Sequence, residues 1–356
     1  MKRPLDFLLL IPFLLASFIS LMMIFSIAPN NLATQVISFI IGLALFVYFA
    51  KQDYGLYQAV GLPSYFLAIF FLLLTFFFGS SVRGSVRWLD IFGFSFQASE
   101  FAKPLLILAF PYFFSRFPPI NLKNLLKNLL FLAIPIFLIY KQPDLGTTLT
   151  VMILWLTQLF VAGTKSWYLA LGGAISLVLA KLSPLFLHDY QIERFQAFLD
   201  PASDPLGSGY NVIQAIIAVG SGGLLGKGLG HGTQSHLRFL PERHTDFIFA
   251  SLAEELGLAG GIFVILVLST ILVRLLDHCL HSTDAHNRLI LAGIFAILCF
   301  QTFVNIGMNI GLAPVTGITL PFISYGGSSV IATAICLGIA SSLSRTLIST
   351  PSIEIK

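Results

Sequence analysis

The sequence predicts an all-α polytopic membrane protein of about ten transmembrane helices, with a long extracytoplasmic loop between the seventh and eighth. Three observations predict it. Of 356 residues, 56% are apolar and 10% charged, whereas a soluble domain carries about 25% charged residues to wet its surface. Apolar runs of roughly 20 residues, enough to cross a hydrocarbon layer of about 30 Å, recur along the chain. Their Phe, Leu and Ile residues lack the two-residue alternation of a membrane barrel strand, which argues for helices.

The runs fall near 6–28, 32–50, 60–79, 98–116, 127–140, 146–163, 167–187, 247–273, 288–311 and 326–344. The first resembles a signal peptide in its Met1-Lys2-Arg3 start, but it is too long for a secretory core and reads as a retained span. Basic residues in short loops set the orientation. A cytoplasmic N-terminus places Lys2, Arg3, Lys51, Arg116, Lys123, Lys127, Lys165, Arg274, Arg288, Arg345 and Lys356 inside, and leaves Lys141 in the short external loops. One transmembrane domain is expected over 1–345, with a short cytoplasmic tail at 346–356. Cys279, Cys299 and Cys336 have no paired spacing and read as free apolar thiols.

The excursion at 188–246 is long, polar and glycine-rich, so the unusual chemistry gathers on the outer side, where a nucleotide-driven reaction would lack fuel. Neither nucleotide nor nucleic acid is an expected partner. Gly222-Gly223-Leu224-Leu225-Gly226-Lys227-Gly228 does not make a phosphate loop: no glycine stands five before Gly226, and Lys227 is followed by Gly. His278, His281 and His286 match no strong zinc spacing.

The densest cluster is Pro241-Glu242-Arg243-His244-Thr245-Asp246, which runs into an apolar helix. Asp246 or Thr245 as N-cap is the ordinary reading; a carboxylate acting as a base in water-poor surroundings is the functional one. Further along, Glu254 and Glu255 lie at a depth where ionisable groups need a partner or a wet cavity. A second cluster joins Arg87 and Trp88 to Glu100 and Lys103, which are spaced to pair on a helix. It is either an interfacial salt bridge or a cationic site for an anionic lipid head group. Asp144 sits in the turn Gln142-Pro143-Asp144-Leu145-Gly146 on the same side. The stretch from Gly311 to Ser329, which includes Ser324 and Tyr325, interrupts the last spans and reads as the re-entrant wall of a cavity.

These strings resemble the SEDS (shape, elongation, division, sporulation) glycosyltransferases, the RodA/FtsW/SpoVE family. FLPERHTDFIFA at 239–250, QPDLGT at 142–147, QASEFAK after Arg87–Leu89, DPASDPL at 200–206 and PVTGI followed by LPFISYGGSS stand in the family's order over nearly the whole chain. The resemblance implies an inverting peptidoglycan glycosyltransferase that polymerises lipid II during cell elongation and releases undecaprenyl pyrophosphate. It implies Asp246 as general base, with Arg87, Glu100, Lys103, Asp144, Glu242, Arg243, His244, Thr245, Ser324 and Tyr325 contacting substrate. Lys227 is a further candidate cation for the leaving group. It implies Mg²⁺ or Mn²⁺ with an unknown ligand set, a class B penicillin-binding protein as crosslinking partner, and residence in the bacterial cytoplasmic membrane with the active site on the outer face. The competing readings are a lipid II translocator, a division polymerase of the FtsW type and a non-enzymatic scaffold.

Overall fold

A computed structural model describes residues 5–82, 85–91, 94–181 and 189–344 of the chain. Lys2, Arg3, Arg83, His188, Arg345 and the expected tail lie outside the described residues. The first half runs through α1 (Phe7–Ile27), α2 (Leu32–Lys51), α3 (Tyr54–Ala59), α4 (Gly61–Phe78), β1 (Ser80–Val82), β2 (Ser85–Ile91), β3 (Phe94–Gln97), α5 (Ala98–Arg116), α6 (Leu122–Lys141) and α7 (Leu145–Val161). The second half comprises α8 (Ser166–Lys181), α9 (Asp189–Leu199), α10 (Tyr210–Ser221), α11 (Thr233–His236), α12 (Ile248–His281), α13 (Ala285–Asn309) and α14 (Gly327–Leu343).

Each of the ten expected spans holds a helix, and the chain is a polytopic helical membrane protein. Among the described residues, six helical stretches are long and apolar enough to cross a bilayer by themselves: α1, α2 with the turn before it, α4, α6, α12 and α13. The shorter or more polar helices owe their character to position. α5 packs against α4, α7, α13 and α14 and buries Glu100 and Lys103 with its apolar residues. α4, by contrast, turns Phe66, Phe70, Phe77 and Phe78 outward, as a lipid-facing helix does. Small residues bring α2 and α14 together: a Cβ on Gly338 would stand 2.7 Å from the Phe46 carbonyl, and one on Gly42 3.3 Å from Ala334 Cβ.

Two features add to the expected helices. The three strands form an antiparallel sheet in the order β1-β2-β3, with Trp88 opposite both Ser80 and Gln97. The sheet delivers Arg87 to the mouth of the bundle, and Gln97 N donates to Ser328 Oγ at the start of α14 at 3.0 Å.

The other addition is a break in α12. At Gly257 the backbone leaves the helix (φ 69°, ψ −168°), a region open essentially to glycine alone. The glycine-rich segment 222–228 is spliced into the gap. Its Lys227 and Gly228 amides donate to the carbonyls of Glu254 and Glu255, both at 3.0 Å. The amides of Leu258 and Ala259 donate in turn to the carbonyls of Gly223 and Leu224, at 2.9 and 3.1 Å. The string 222–228 is therefore a backbone clamp, and Gly222 and Gly226 have no room for a Cβ because there the two main chains touch.

Both carboxylates beside the break are fully buried and have partners. Glu254 accepts from Lys227 Nζ at 2.9 Å, from the Gln234 and Ser235 amides at 2.9 and 3.0 Å, and from Ser235 Oγ at 2.8 Å. Glu255 accepts from Ser26 Oγ and pairs with His236 Nε2 at 2.8 Å. At the far end of α12, Asp6 caps α1 through the Leu8 amide and binds Arg274 at 3.0 Å and His278 at 2.6 Å. Burial works to raise the Asp6 carboxyl, but the His278 hydrogen bond and the Arg274 charge outweigh it and hold it below the usual carboxylate range.

The splice makes a prediction. A Cβ on Gly257 would lie 2.3 Å from the Gly226 nitrogen, so Gly257→Ala combines a steric clash with a backbone cost on the order of 1–3 kcal/mol. Gly220→Ala, whose Cβ meets nothing within 4 Å, is the matched control. Thermal midpoints in detergent should fall for Gly257→Ala and hold for Gly220→Ala; equal midpoints would contradict the clamp.

Candidate functional site

The turn that carries Asp246 is built from outside itself. α12 starts at Ile248 with Phe247 in the N-cap position and no side-chain cap from that residue, so the cap expected from Asp246 or Thr245 is displaced by one residue. Instead Asn309 Oδ1, from the end of α13, accepts the Ala250 amide at 2.9 Å. The Asp246 carbonyl accepts from Asn305 Nδ2 at 3.1 Å and from Asn309 Nδ2 at 3.0 Å. Thr245 Oγ1 folds back onto Glu242, donating to its carbonyl at 3.2 Å and to Oε2 at 3.1 Å.

The stretch between α13 and α14 grips the same turn. Tyr325 N donates to the His244 carbonyl at 2.8 Å and Ser324 Oγ to the Thr245 carbonyl at 2.7 Å. The rings of His244 and Tyr325 meet with centroids 5.5 Å apart. The stretch is anchored from behind: Ser20 Oγ donates to Ile323 O at 2.8 Å, and Gln35 Oε1 accepts from Gly326 N at 3.2 Å. Several backbone groups of this irregular stretch are thus taken up by neighbours, as non-helical chain at membrane depth requires.

Its other face lines a small polar cavity whose walls include Arg87, Gln97, Glu100, Lys103, Asp144 and Gln301, together with Gly317–Thr319. Lys103 Nζ donates to Glu100 Oε1 at 2.7 Å, with both side chains more than nine-tenths buried. Glu100 Oε2 has no hydrogen-bond partner among the described residues. Asp144 caps α7, accepting from the Thr147 amide at 3.1 Å and Thr147 Oγ1 at 2.9 Å, and takes Ser99 Oγ at 3.2 Å. Arg87 gives Nε to the Gln142 carbonyl at 3.2 Å and Nη2 to the Pro143 carbonyl, while Nη1 stands 4.0 Å from Asp144 Oδ1. Gly146 has no room for a side chain, because a Cβ would fall 2.8 Å from the Thr316 carbonyl. The QPDLG string thus fixes one wall of the cavity against the other.

Gly317 joins the cavity to the turn. It lines the cavity, has φ +74°, and a Cβ placed on it would stand 3.8 Å from Asp246 Oδ2. A half-buried carboxylate therefore borders a cation-bearing cavity across an exposed residue without a side chain.

Of the expected contacts, Arg87, Glu100, Lys103 and Asp144 line the cavity, with Asp246 bordering it. Glu242, His244, Thr245, Ser324 and Tyr325 build the turn that carries Asp246. Arg243 donates Nε and Nη2 to the Ile27 carbonyl at 3.1 and 3.0 Å, which places its charge at the C-terminus of α1, where a cation is favoured. Lys227 is held by Glu254 at 2.9 Å. Neither cation belongs to the cavity wall. Asn305 and Asn309 were not anticipated; polar side chains one helical turn apart in an apolar run were the available signal.

The profile of the FtsW/RodA/SpoVE family, described as cell cycle protein, matches residues 5–348. The chain is 43% identical over 311 residues to the peptidoglycan glycosyltransferase MrdB of Escherichia coli K12, covering 85% of this chain and 82% of that one. It is 37% identical over 334 residues to the probable peptidoglycan glycosyltransferase FtsW of Geobacter metallireducens, covering 90% and 86%. Among solved structures it is similar to a chain from a peptidoglycan synthase complex that coordinates polymerization and crosslinking, with TM-score 0.84, 31% identity and 97% and 99% of the two chains covered. It is also similar to the Thermus thermophilus rod shape determining protein RodA, with TM-score 0.74, 27% identity and coverage of 97% and 98%.

The cavity pair yields a double-mutant test. Lys103→Met leaves Glu100 buried beside no cation, and stranding one member of a buried pair costs about 3–5 kcal/mol. Glu100→Gln with Lys103→Met removes both charges and should recover much of that loss. A thermal midpoint in detergent as low for the double variant as for Lys103→Met alone would show that the two charges do not act as a pair.

Proposed function

The chain belongs to the FtsW/RodA/SpoVE (SEDS) family, and on that footing we propose how it works as a peptidoglycan glycosyltransferase of cell elongation: it polymerises lipid II with Asp246 as general base. The observation that supports this most directly is the Asp246 carboxylate beside Gly317, at the border of a cavity whose walls hold Arg87 and Lys103. A sugar hydroxyl is a poor nucleophile until a positioned base takes its proton. Asp246 accepts the proton of the acceptor's GlcNAc 4-hydroxyl as that oxygen attacks the anomeric carbon of the donor's MurNAc. The bond to pyrophosphate breaks on the opposite face, and undecaprenyl pyrophosphate leaves with inversion. Lys103 and the Arg87 guanidinium edge supply positive charge where negative charge develops on the leaving group, in a site shielded from bulk water.

A divalent cation, Mg²⁺ or Mn²⁺, fits this site in a restricted sense. Among the described residues no three His, Cys, Asp or Glu side chains converge into a metal cage. Glu100 Oε2, buried and without a hydrogen-bond partner, suits an ion that takes one protein carboxylate and completes its shell with phosphate oxygens and water. Such an ion would offset charge on the pyrophosphate.

Similarity to the synthase complex supports a crosslinking partner, a class B penicillin-binding protein transpeptidase. The basic residues of the short loops support cytoplasmic termini and an active face on the outer side of the bacterial cytoplasmic membrane.

The test is polymerisation of purified lipid II by this chain with its partner and divalent cation present. Asp246→Asn, checked for folding by detergent size exclusion, should lose about 10²–10⁴-fold or more in rate, the usual worth of a positioned base. Strands of equal amount from both proteins would remove Asp246 from the role. Chelation by EDTA should abolish wild-type polymer, and excess Mg²⁺ or Mn²⁺ should restore it.

A further inference from the structure

Asn305 and Asn309 hold more of the site than packing requires. Both are fully buried in α13, one turn apart on the same face. Each uses both amide hydrogens: Asn305 Nδ2 on the carbonyls of Asp246 at 3.1 Å and Ile318 at 2.7 Å, Asn309 Nδ2 on the carbonyls of Asp246 at 3.0 Å and Asn305 at 2.7 Å. Asn309 Oδ1 meanwhile accepts the Ala250 amide, three residues into α12 counting from the N-cap, which is the amide a capping side chain normally takes. Ile318 is part of the cavity wall, and Gln301, one turn before Asn305, is another part of it.

One side chain, Asn305, therefore binds the backbone of Asp246 and the backbone of the cavity wall at once. The amide of Asn305 thus ties the Asp246 peptide to the cavity wall at Ile318, in addition to the hydrogen bonds that Ser324 and Tyr325 make to the neighbouring peptides of the turn. Two buried asparagines in a membrane-spanning helix are costly to place and mark function by default.

We infer that Asn305, supported by Asn309, is a positioning residue for glycosyl transfer, fixing the Asp246 backbone relative to the cavity wall at Ile318. This rests on the reading of Asp246 as the base. Neither asparagine touches substrate; each acts through the peptide it holds.

The test compares Asn305→Leu, which has a similar volume and no donor, with Asn305→Asp, in the polymerisation assay with the partner present. Displacing a catalytic group by about 1 Å can cost 10²-fold. Asn305→Leu should thus lower kcat on the order of 10²-fold while KM for the lipid-linked substrate stays within about threefold. Asn305→Asp keeps a donor only as the neutral acid, so its kcat should decline with rising pH over a range where wild type does not. A kcat for Asn305→Leu within about threefold of wild type overturns the inference. So does activity that falls only in step with folded protein on size exclusion, with Asn305→Asp as flat in pH as wild type. Asp246→Asn run alongside separates the two claims. If it is fully active, the base assignment fails; if it is inactive while Asn305→Leu is normal, only the positioning role fails.

Discussion

A peptide group inside a hydrocarbon layer has no water to bond, and each one left unpaired costs several kcal/mol. Three departures from simple helix among the described residues answer that constraint. The stretch from Gly311 to Gly326 is held by Ser20, Gln35, Asn305 and the backbone of the Asp246 turn. The break in α12 is filled by the backbone of residues 222–228. The Ala250 amide, in the first turn of α12, meets Asn309. The site is a by-product of these solutions, because the groups that satisfy irregular backbone also bring Asp246, Gly317 and the polar cavity together.

The same constraint separates the buried carboxylates by what they do. Glu254 and Glu255 are surrounded by donors and hold a loop to a broken helix. Asp144 is largely engaged in capping α7. Glu100 keeps one oxygen without a hydrogen-bond partner, in a cavity wall. Buried polar atoms are normally bonded, and the saturated carboxylates at Glu254 and Glu255 serve architecture.

Much of this was legible from the sequence. The ten spans follow from apolar run length, and the clusters at Arg87, Glu100–Lys103, Asp144 and 242–246 stand out because charge is scarce in the chain. The division of labour within those clusters was not legible. Arg243 reads as a cation for substrate, yet its partner is a carbonyl 216 residues away. Asn305 and Asn309 lie 59 and 63 residues beyond Asp246, and nothing local marks them as its supports. The sheet at 80–97 is too short for its pattern to separate from a loop, and the splice depends on main-chain atoms, which the side-chain pattern does not encode. Short-range chemistry was readable; long-range pairing was not.

The spliced break in α12 bears on how the chain is assembled during synthesis. As one uninterrupted helix, 34 residues would measure about 51 Å, far more than the roughly 30 Å of hydrocarbon it must cross. The break divides it into a short segment up to Leu256 and a longer one from Leu258. Residues 222–228 leave the ribosome before either segment, so the strand that completes the hydrogen bonding at the break already exists when α12 emerges. Were the order of these two stretches in the chain reversed, the carbonyls of Glu254 and Glu255 and the amides of Leu258 and Ala259 would wait unpaired for a later segment. The chain order thus shortens the interval in which a half-built α12 is exposed to lipid, misinsertion and quality-control proteolysis.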